Sequence, residues 1–151
     1  MTSHAESRFV PYSADLMFDV VADVEKYPRF LPWVVALRVL ARESSDTREI
    51  IHAEMAVGYG ALREKYVSRV SLDRSTRTID VAQTEGPFRL LENCWRFEPG
   101  ENGCKVHFSI AFEFRNRMLN ALAGSAFSRV MLKMTDAFEA RARALSEQAV
   151  Q

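Results

Sequence analysis

The hydrophobic period of the chain changes twice, and the changes divide it into three parts. Residues 5–11 alternate weakly between polar and apolar and read as a first strand ending at Pro11. Ser13 then stands where a helix cap is wanted, with Asp15 in the first turn favoured by the helix dipole. Leu16, Met17, Val20, Val21 and Val24 recur at helical spacing and give one apolar face. Asp23 can start a second short helical piece, which Pro28 and Pro32 must bend or end.

From residue 34 the period falls to two. Val35, Leu37 and Val39 alternate, then Ile51, Ala53, Met55 and Val57, then Tyr66, Val70 and Leu72. Ile79 and Val81 continue the series, followed by Leu91, Trp95 and Phe97. The clearest run is the last: Cys104, Val106, Phe108, Ile110, Phe112 and Phe114 point one way, and Lys105, His107, Ser109, Glu113 and Arg115 the other. Turn residues separate the runs at Gly58, Gly60, 73–76, Gly86-Pro87 and 99–103, so the strands form an antiparallel meander. After Arg117 the period is helical again. Leu119, Leu122, Ala126, Val130, Met134, Phe138 and Leu145 make a stripe widened by Phe127 and Met131, about 30 residues and roughly 45 Å of helix. Gly124 predicts a bend or a close approach within it.

The elements predict one α+β domain over residues 1–151: a first strand, two short helices, about six further strands, and a long helix laid on the concave face of a curved antiparallel sheet. Between helix and sheet there is room for side chains or for a ligand. The excess of apolar bulk, with ten Phe, six Met, four Tyr and two Trp, suits an adaptable apolar cavity.

Charge and chemistry then exclude more than they suggest. Lys plus Arg and Asp plus Glu are both 20, so the chain lacks the cation excess of a dedicated nucleic-acid binder, and no DNA partner is expected. The start MTSHAESRFVP has no apolar signal core, which predicts a cytoplasmic protein. Two cysteines, Cys94 and Cys104, are too few for a disulfide framework. With Phe97 opposite Lys105 they are not cross-strand neighbours, and two reduced thiols are expected. His4, His52 and His107 have no metal-ligand spacing, so no metal site is expected. No nucleophile elbow, Cys/His pair or phosphate-cradling loop is present. Glu54, Glu92 and Glu113 alternate outward, and Glu64, breaking the register beside Tyr66, is the best candidate for a polar group facing the cavity.

Three stretches carry a resemblance. Residues 20–33, VVADVEKYPRFLPW, look like the opening motif of the ubiquinone-binding START-like family of the polyketide cyclase/START superfamily. Residues 86–91, GPFRLL, with Trp95-Arg96-Phe97, are similar to its central motif. Phe112-Glu113-Phe114 and residues 137–142, AFEARA, resemble its close.

The resemblance, running from about Ser3 to Leu145, implies a helix-grip fold of about seven strands wrapped round the C-terminal helix. It implies a non-enzymatic bacterial protein that binds coenzyme Q or a similar prenyl lipid in a tunnel and supports cellular respiration, with no cofactor beyond that ligand. Carried over by position, the tunnel is lined by Phe30, Leu31, Pro32 and Trp33 at the mouth, by Pro87, Phe88 and Leu90 after the turn, and by Leu122, Phe127, Val130, Met131 and Met134 on the helix. Phe30 to Trp33, beside Lys26 and Arg29, have the character of a membrane-touching lip, implying transient contact at the inner membrane. A similar bacterial branch is a toxin that binds the large ribosomal subunit, for which Arg115, Arg117, Arg129, Lys133, Arg141 and Arg143 supply cations. Polyketide cyclases share the wider fold and leave a small-enzyme alternative, with Glu64 its candidate residue.

Overall fold

The computed structural model describes residues 1–150, with the side chains of Ser125, Ala126, Ser128, Met131, Leu132, Ala149 and Val150 outside the description. Its elements run β1 (Thr2–Val10), α1 (Ala14–Ala22), a 3-10 turn at Val24–Lys26, α2 (Tyr27–Phe30), β2 (Val34–Ser45), β3 (Arg48–Tyr59), β4 (Leu62–Asp73), β5 (Thr78–Glu85), β6 (Phe88–Gly100), β7 (Gly103–Phe114) and α3 (Arg117–Val150). The strands form a seven-stranded antiparallel sheet in the order β1-β7-β6-β5-β4-β3-β2. Strands β2 to β7 are the expected meander, and β1 closes it by pairing with β7 from Thr2↔Phe112 to Val10↔Cys104. This is the α+β helix-grip arrangement, a curved sheet around one long helix.

The local signals act where the sequence puts them. The Ser13 hydroxyl accepts from Leu16 N at 3.1 Å and caps α1, a contact that typically contributes about 1 kcal/mol. Asp23 makes no side-chain cap; its backbone N–H bonds to Asp19 O and ends α1 instead. Pro28 opens α2 rather than breaking it, because the first turn of a helix has no use for its missing N–H. At the β6–β7 turn Asn102 (φ 64°) and Gly103 (φ 156°) take positive φ; a Cβ on Gly103 would stand 2.1 Å from Val10 O, so only glycine lets β1 pass.

Four expectations are corrected. Val35 does not point inward: a bulge between Val34 and Ala36 shifts the parity of β2, burying Val34 and leaving Val35 63% exposed. Strand β1 runs Thr2–Val10 rather than 5–11. The β6–β7 register is one residue from that expected, with Phe97 opposite Val106, so Cys94 faces Ser109 and Cys104 faces Pro99. The thiols are still apart and free, Cys104 buried and Cys94 exposed. Gly124 serves no close packing, since a Cβ there would meet nothing within 4 Å, and α3 runs through it unbroken.

The core fills the concave side. Ile51, Val70, Ile79, Trp95, Phe97, Val106 and Phe108 of the sheet pack with Met17, Phe18 and Val21 of α1 and with Phe138 and Ala142 of α3. Strand β1 departs from this. Its inward positions before Val10 are Thr2, His4, Glu6 and Arg8, each half-buried. The His4 ring lies between Phe108 and Phe127, at 6.1 and 6.3 Å, and Arg8 reaches Asp136 and Glu139 of α3 at 2.6 and 3.4 Å.

Candidate functional site

Two adjoining chambers lie between the sheet and α3. They share Trp33, Met55, Tyr66, Leu91, Ile110 and Met134 and so adjoin along a common wall. The outer chamber, about 160 Å³, is completed by Val57, Tyr59, Leu62, Phe88, Phe112, Phe114, Ala123, Phe127 and Val130. The inner chamber, about 110 Å³, adds Tyr27, Leu31, Leu37, Ser68, Val81, Asn93, Trp95 and Phe138. Among the described residues, no charged side chain stands in either wall. For scale, a dry cavity of about 150 Å³ lined by aliphatic and aromatic side chains admits benzene. A wider hollow of about 640 Å³ lies elsewhere, an open polar dish lined by Ser7, Thr78, Asp80, Cys94, Arg96 and His107.

Two carboxamides hold the outer chamber in shape. Gln83 of β5 pairs with the backbone of Phe88, its Nε2 donating to Phe88 O and its Oε1 accepting from Phe88 N, both at 2.9 Å. Asn120 of α3 does the same to Phe114, accepting from its N–H at 2.7 Å and donating to its carbonyl at 2.9 Å. Each side chain supplies the ladder partner that the backbone lacks there. The two residues they hold are stacked, with Phe88 and Phe114 rings 4.3 Å apart. Gly86 lets Tyr66 close on Phe88, for a Cβ at Gly86 would fall 2.6 Å from the Tyr66 Cβ; the rings meet edge-on at 5.2 Å.

The inner chamber is closed by aromatic rings. Tyr27, Phe30 and Phe138 meet one another edge-on at 5.4–5.9 Å, and Trp95 meets Phe138 at 5.1 Å. The Tyr27 hydroxyl donates to Val21 O. Burial drives the phenols of Tyr27 and Tyr66 well above the ordinary tyrosine range, so neither ionises near neutral pH.

Of the residues proposed for the tunnel, Leu31, Trp33, Phe88, Phe127, Val130 and Met134 come together in the chamber walls. Phe30, Pro32, Pro87, Leu90 and Leu122 do not. Phe30 packs behind the wall on Tyr27 and Phe138, under the Arg141 guanidinium at 5.6 Å. Pro32 is exposed, and the Pro87 carbonyl accepts from Arg115 N. A bulge between Phe88 and Leu90 turns Leu91 inward in place of Leu90. Ala123 takes the wall position next to Leu122, which is 38% exposed. The Met131 side chain lies outside the described residues.

The lip expected at Phe30 to Trp33 is also corrected, because Leu31 and Trp33 are buried. Glu64 shares the inward parity of Leu62, Tyr66 and Ser68 yet stands in neither wall. The sequence reading missed Ser68, Asn93, Gln83 and Asn120, since isolated polar residues inside strands and helices carry no periodic signal. It also missed a polar row on the outer sheet face, where Ser7 Oγ meets His107 Nδ1 at 2.7 Å and His107 Nε2 meets Glu98 at 2.8 Å.

The family model described as polyketide cyclase / dehydrase and lipid transport matches residues 10–139. The chain belongs to this family. A family relative, ribosome association toxin RatA of Rickettsia prowazekii, is 36% identical over 95% of the chain and 97% of its own length. Coenzyme Q-binding protein COQ10 homolog B, mitochondrial, of Xenopus laevis is 35% identical over 92% of the chain, which spans 57% of that protein. Among solved structures, an 18 kDa protein of Caulobacter crescentus superposes with a TM-score of 0.81 at 37% identity, covering 97% of this chain and 99% of that one. A START superfamily protein of Mycobacterium smegmatis gives 0.73 at 20% identity, covering 95% and 98%, a likeness of fold alone. Members of this family thus carry names of binding and association as well as of cyclisation.

Proposed function

We propose that the protein is a carrier without catalytic activity that holds coenzyme Q or a similar prenyl lipid in the two chambers and serves respiratory electron transport. The charge-free aromatic and aliphatic wall is what supports this reading. Each CH₂-sized unit moved from water into such a wall contributes about 0.8 kcal/mol, so affinity needs few polar contacts. At about 160 and 110 Å³ the chambers suit little more than a single ring, the tail of a prenyl lipid leaving through the outer end. Met118, 75% exposed at the start of α3 and five residues from Ala123 of the outer wall, marks where that end would touch a membrane. The chamber offers no group for acid–base work near neutral pH, which favours carriage over chemistry, and the name of the Xenopus relative points the same way.

The test is organic extraction of natively purified protein from a quinone-producing host, followed by mass spectrometry. Near-stoichiometric ubiquinone, lost when Phe127 is replaced by Asp, is the expected result. Phospholipid alone, or no lipid, would refute the quinone assignment.

A second reading, association with the large ribosomal subunit, is favoured by one observation besides the Rickettsia relative's name. Arg115, Arg117, Arg129 and Lys133 are exposed and form no ion pair among the described residues. Arg141 and Arg143 drop out of that row, being engaged with Phe30 and Tyr12. Co-sedimentation with large subunits that falls steeply with salt would support this reading. Co-sedimentation that is absent or indifferent to salt would remove it.

A further inference from the structure

The inner chamber has one polar side, and its hydrogen-bonding groups are not equally engaged. Asn93 is fully used, its Nδ2 donating to Ser109 O at 2.9 Å and its Oδ1 accepting from Trp95 Nε1 at 3.1 Å. The Tyr27 hydroxyl is committed to Val21 O. Ser68 and Tyr66, on alternate inward positions of β4, differ from both. Each stands in the chamber wall, and neither hydroxyl makes a hydrogen bond among the described residues. Ser68 is only 5% exposed. Ser68 is buried and Tyr66 half-buried, and neither oxygen is among the sealed, unpartnered polar atoms of the described residues, so both open onto the cavity, where a partner from outside the chain can supply the missing hydrogen bond.

The chemistry of that partner follows from the walls. A serine hydroxyl and a protonated phenol can each donate as well as accept, and a partner that brings oxygen acceptors engages both as donors. It is neutral, because a carboxylate or phosphate buried with no cation in the wall would be strongly disfavoured. It is flat and enters by no more than the oxygen-bearing edge of a ring, because the chamber is about 110 Å³, smaller than a cavity that admits benzene, and is walled by Trp33, Trp95, Tyr27 and Phe138. What lies beyond that edge meets the outer chamber, whose hydroxyl donors among the described residues are the shared Tyr66 and the more peripheral Tyr59.

We infer that the guest enters polar end first: a neutral ring bearing carbonyl or ether oxygens is received by Ser68 and Tyr66, with its apolar tail trailing through the outer chamber. This rests on the carrier reading and adds orientation and head-group selection to it. Ser68 and Tyr66 are the residues that tell an oxygenated ring from a bare one. The chamber rejects fatty acids by leaving their charge without a partner.

Three probes with similar tails test this: decylubiquinone, decylbenzene and dodecanoate. Trp33 and Trp95 line the chamber, so quenching of their fluorescence reports decylubiquinone, and the other two are scored by displacement. The wild type is expected to bind decylubiquinone most tightly and dodecanoate least. Ser68→Ala and Tyr66→Phe should each weaken decylubiquinone about fivefold, the effect of one hydrogen bond, and leave decylbenzene unchanged. The infrared carbonyl band of bound decylubiquinone should sit at lower frequency in the wild type and move back in the variants, a readout that altered stability does not mimic. Unchanged decylubiquinone binding in both variants, equal loss of both probes, or an unshifted carbonyl band would overturn the head-first assignment while leaving the carrier reading intact. Failure of the wild type to bind decylubiquinone or decylbenzene would overturn the carrier reading, and this inference with it.

Discussion

The two chambers share six wall residues and differ in how their far ends are closed. The inner end is shut by ring against ring, with Phe138 buried among Tyr27, Phe30 and Trp95, and with the second half of α3 tied to β1 through Arg8, Asp136 and Glu139. The outer end is roofed by the first half of α3, which presents Met118 to solvent and is fastened to β7 by the Asn120 amide. One end is held by packing in the main core. The other is held by a smaller cluster, with Leu119, Ala123 and Phe127 packed on Phe88, Phe112 and Phe114, and by the two hydrogen bonds of Asn120. On the carrier reading, that difference makes the outer end the route for a guest.

The comparison can be broken by substitution. Phe138→Ala should destabilise the protein by about 3–5 kcal/mol, read as a fall in the urea midpoint, because it empties the inner seal. Phe127→Ala, at a half-buried position of the outer wall, should cost clearly less, and equal losses would erase the distinction between a sealed and an openable end. Asn120→Ala should cost about 1–3 kcal/mol by leaving the N–H and carbonyl of Phe114 without partners. Its sharper mark is local: hydrogen exchange at the Phe114 amide should accelerate far more than exchange at Phe97 or Ile79, and uniform acceleration would contradict a hinged outer end.

A smaller effect checks the far side of the sheet. Although Cys94 is exposed as a residue, desolvation around its sulfur and the neighbouring Asp80 carboxylate push the thiol up to about 11. Its alkylation by iodoacetamide should therefore be slow at pH 8 and rise about tenfold per pH unit towards pH 11, because only the thiolate reacts. Fast alkylation at pH 8 would place Cys94 in a different environment.

Much of this was legible in the sequence, for identifiable reasons. Six alternations from Cys104 to Phe114 leave β7 no other reading, and Ser13 ahead of an apolar helical stripe leaves α1 none. What escaped had no period to betray it. Strand β1 half-buries His4, Glu6 and Arg8 because α3 brings Asp136 and Glu139 to Arg8 and Phe127 to His4, a fact of tertiary pairing. The inner chamber's wall depends on bulges as well as alternation: one shift at Val34/Ala36 moved Val35 outward, and another at Phe88/Leu90 exchanged Leu90 for Leu91. The carboxamides of Gln83 and Asn120 read as surface residues until the backbone gaps they fill are seen.

The pairing of β1 with β7 has a consequence in time. Ser7 and His107, joined across that seam, are separated by 100 residues, and every contact between β1 and α3 spans a still longer stretch of chain. Long-range closures of this kind are slow to form and come late in folding. During synthesis the nine positions of β1 wait without a strand partner until β7 has left the ribosome, and the cavity has no roof until α3 follows. On the carrier reading, the cavity can be loaded only after α3 has closed over the sheet.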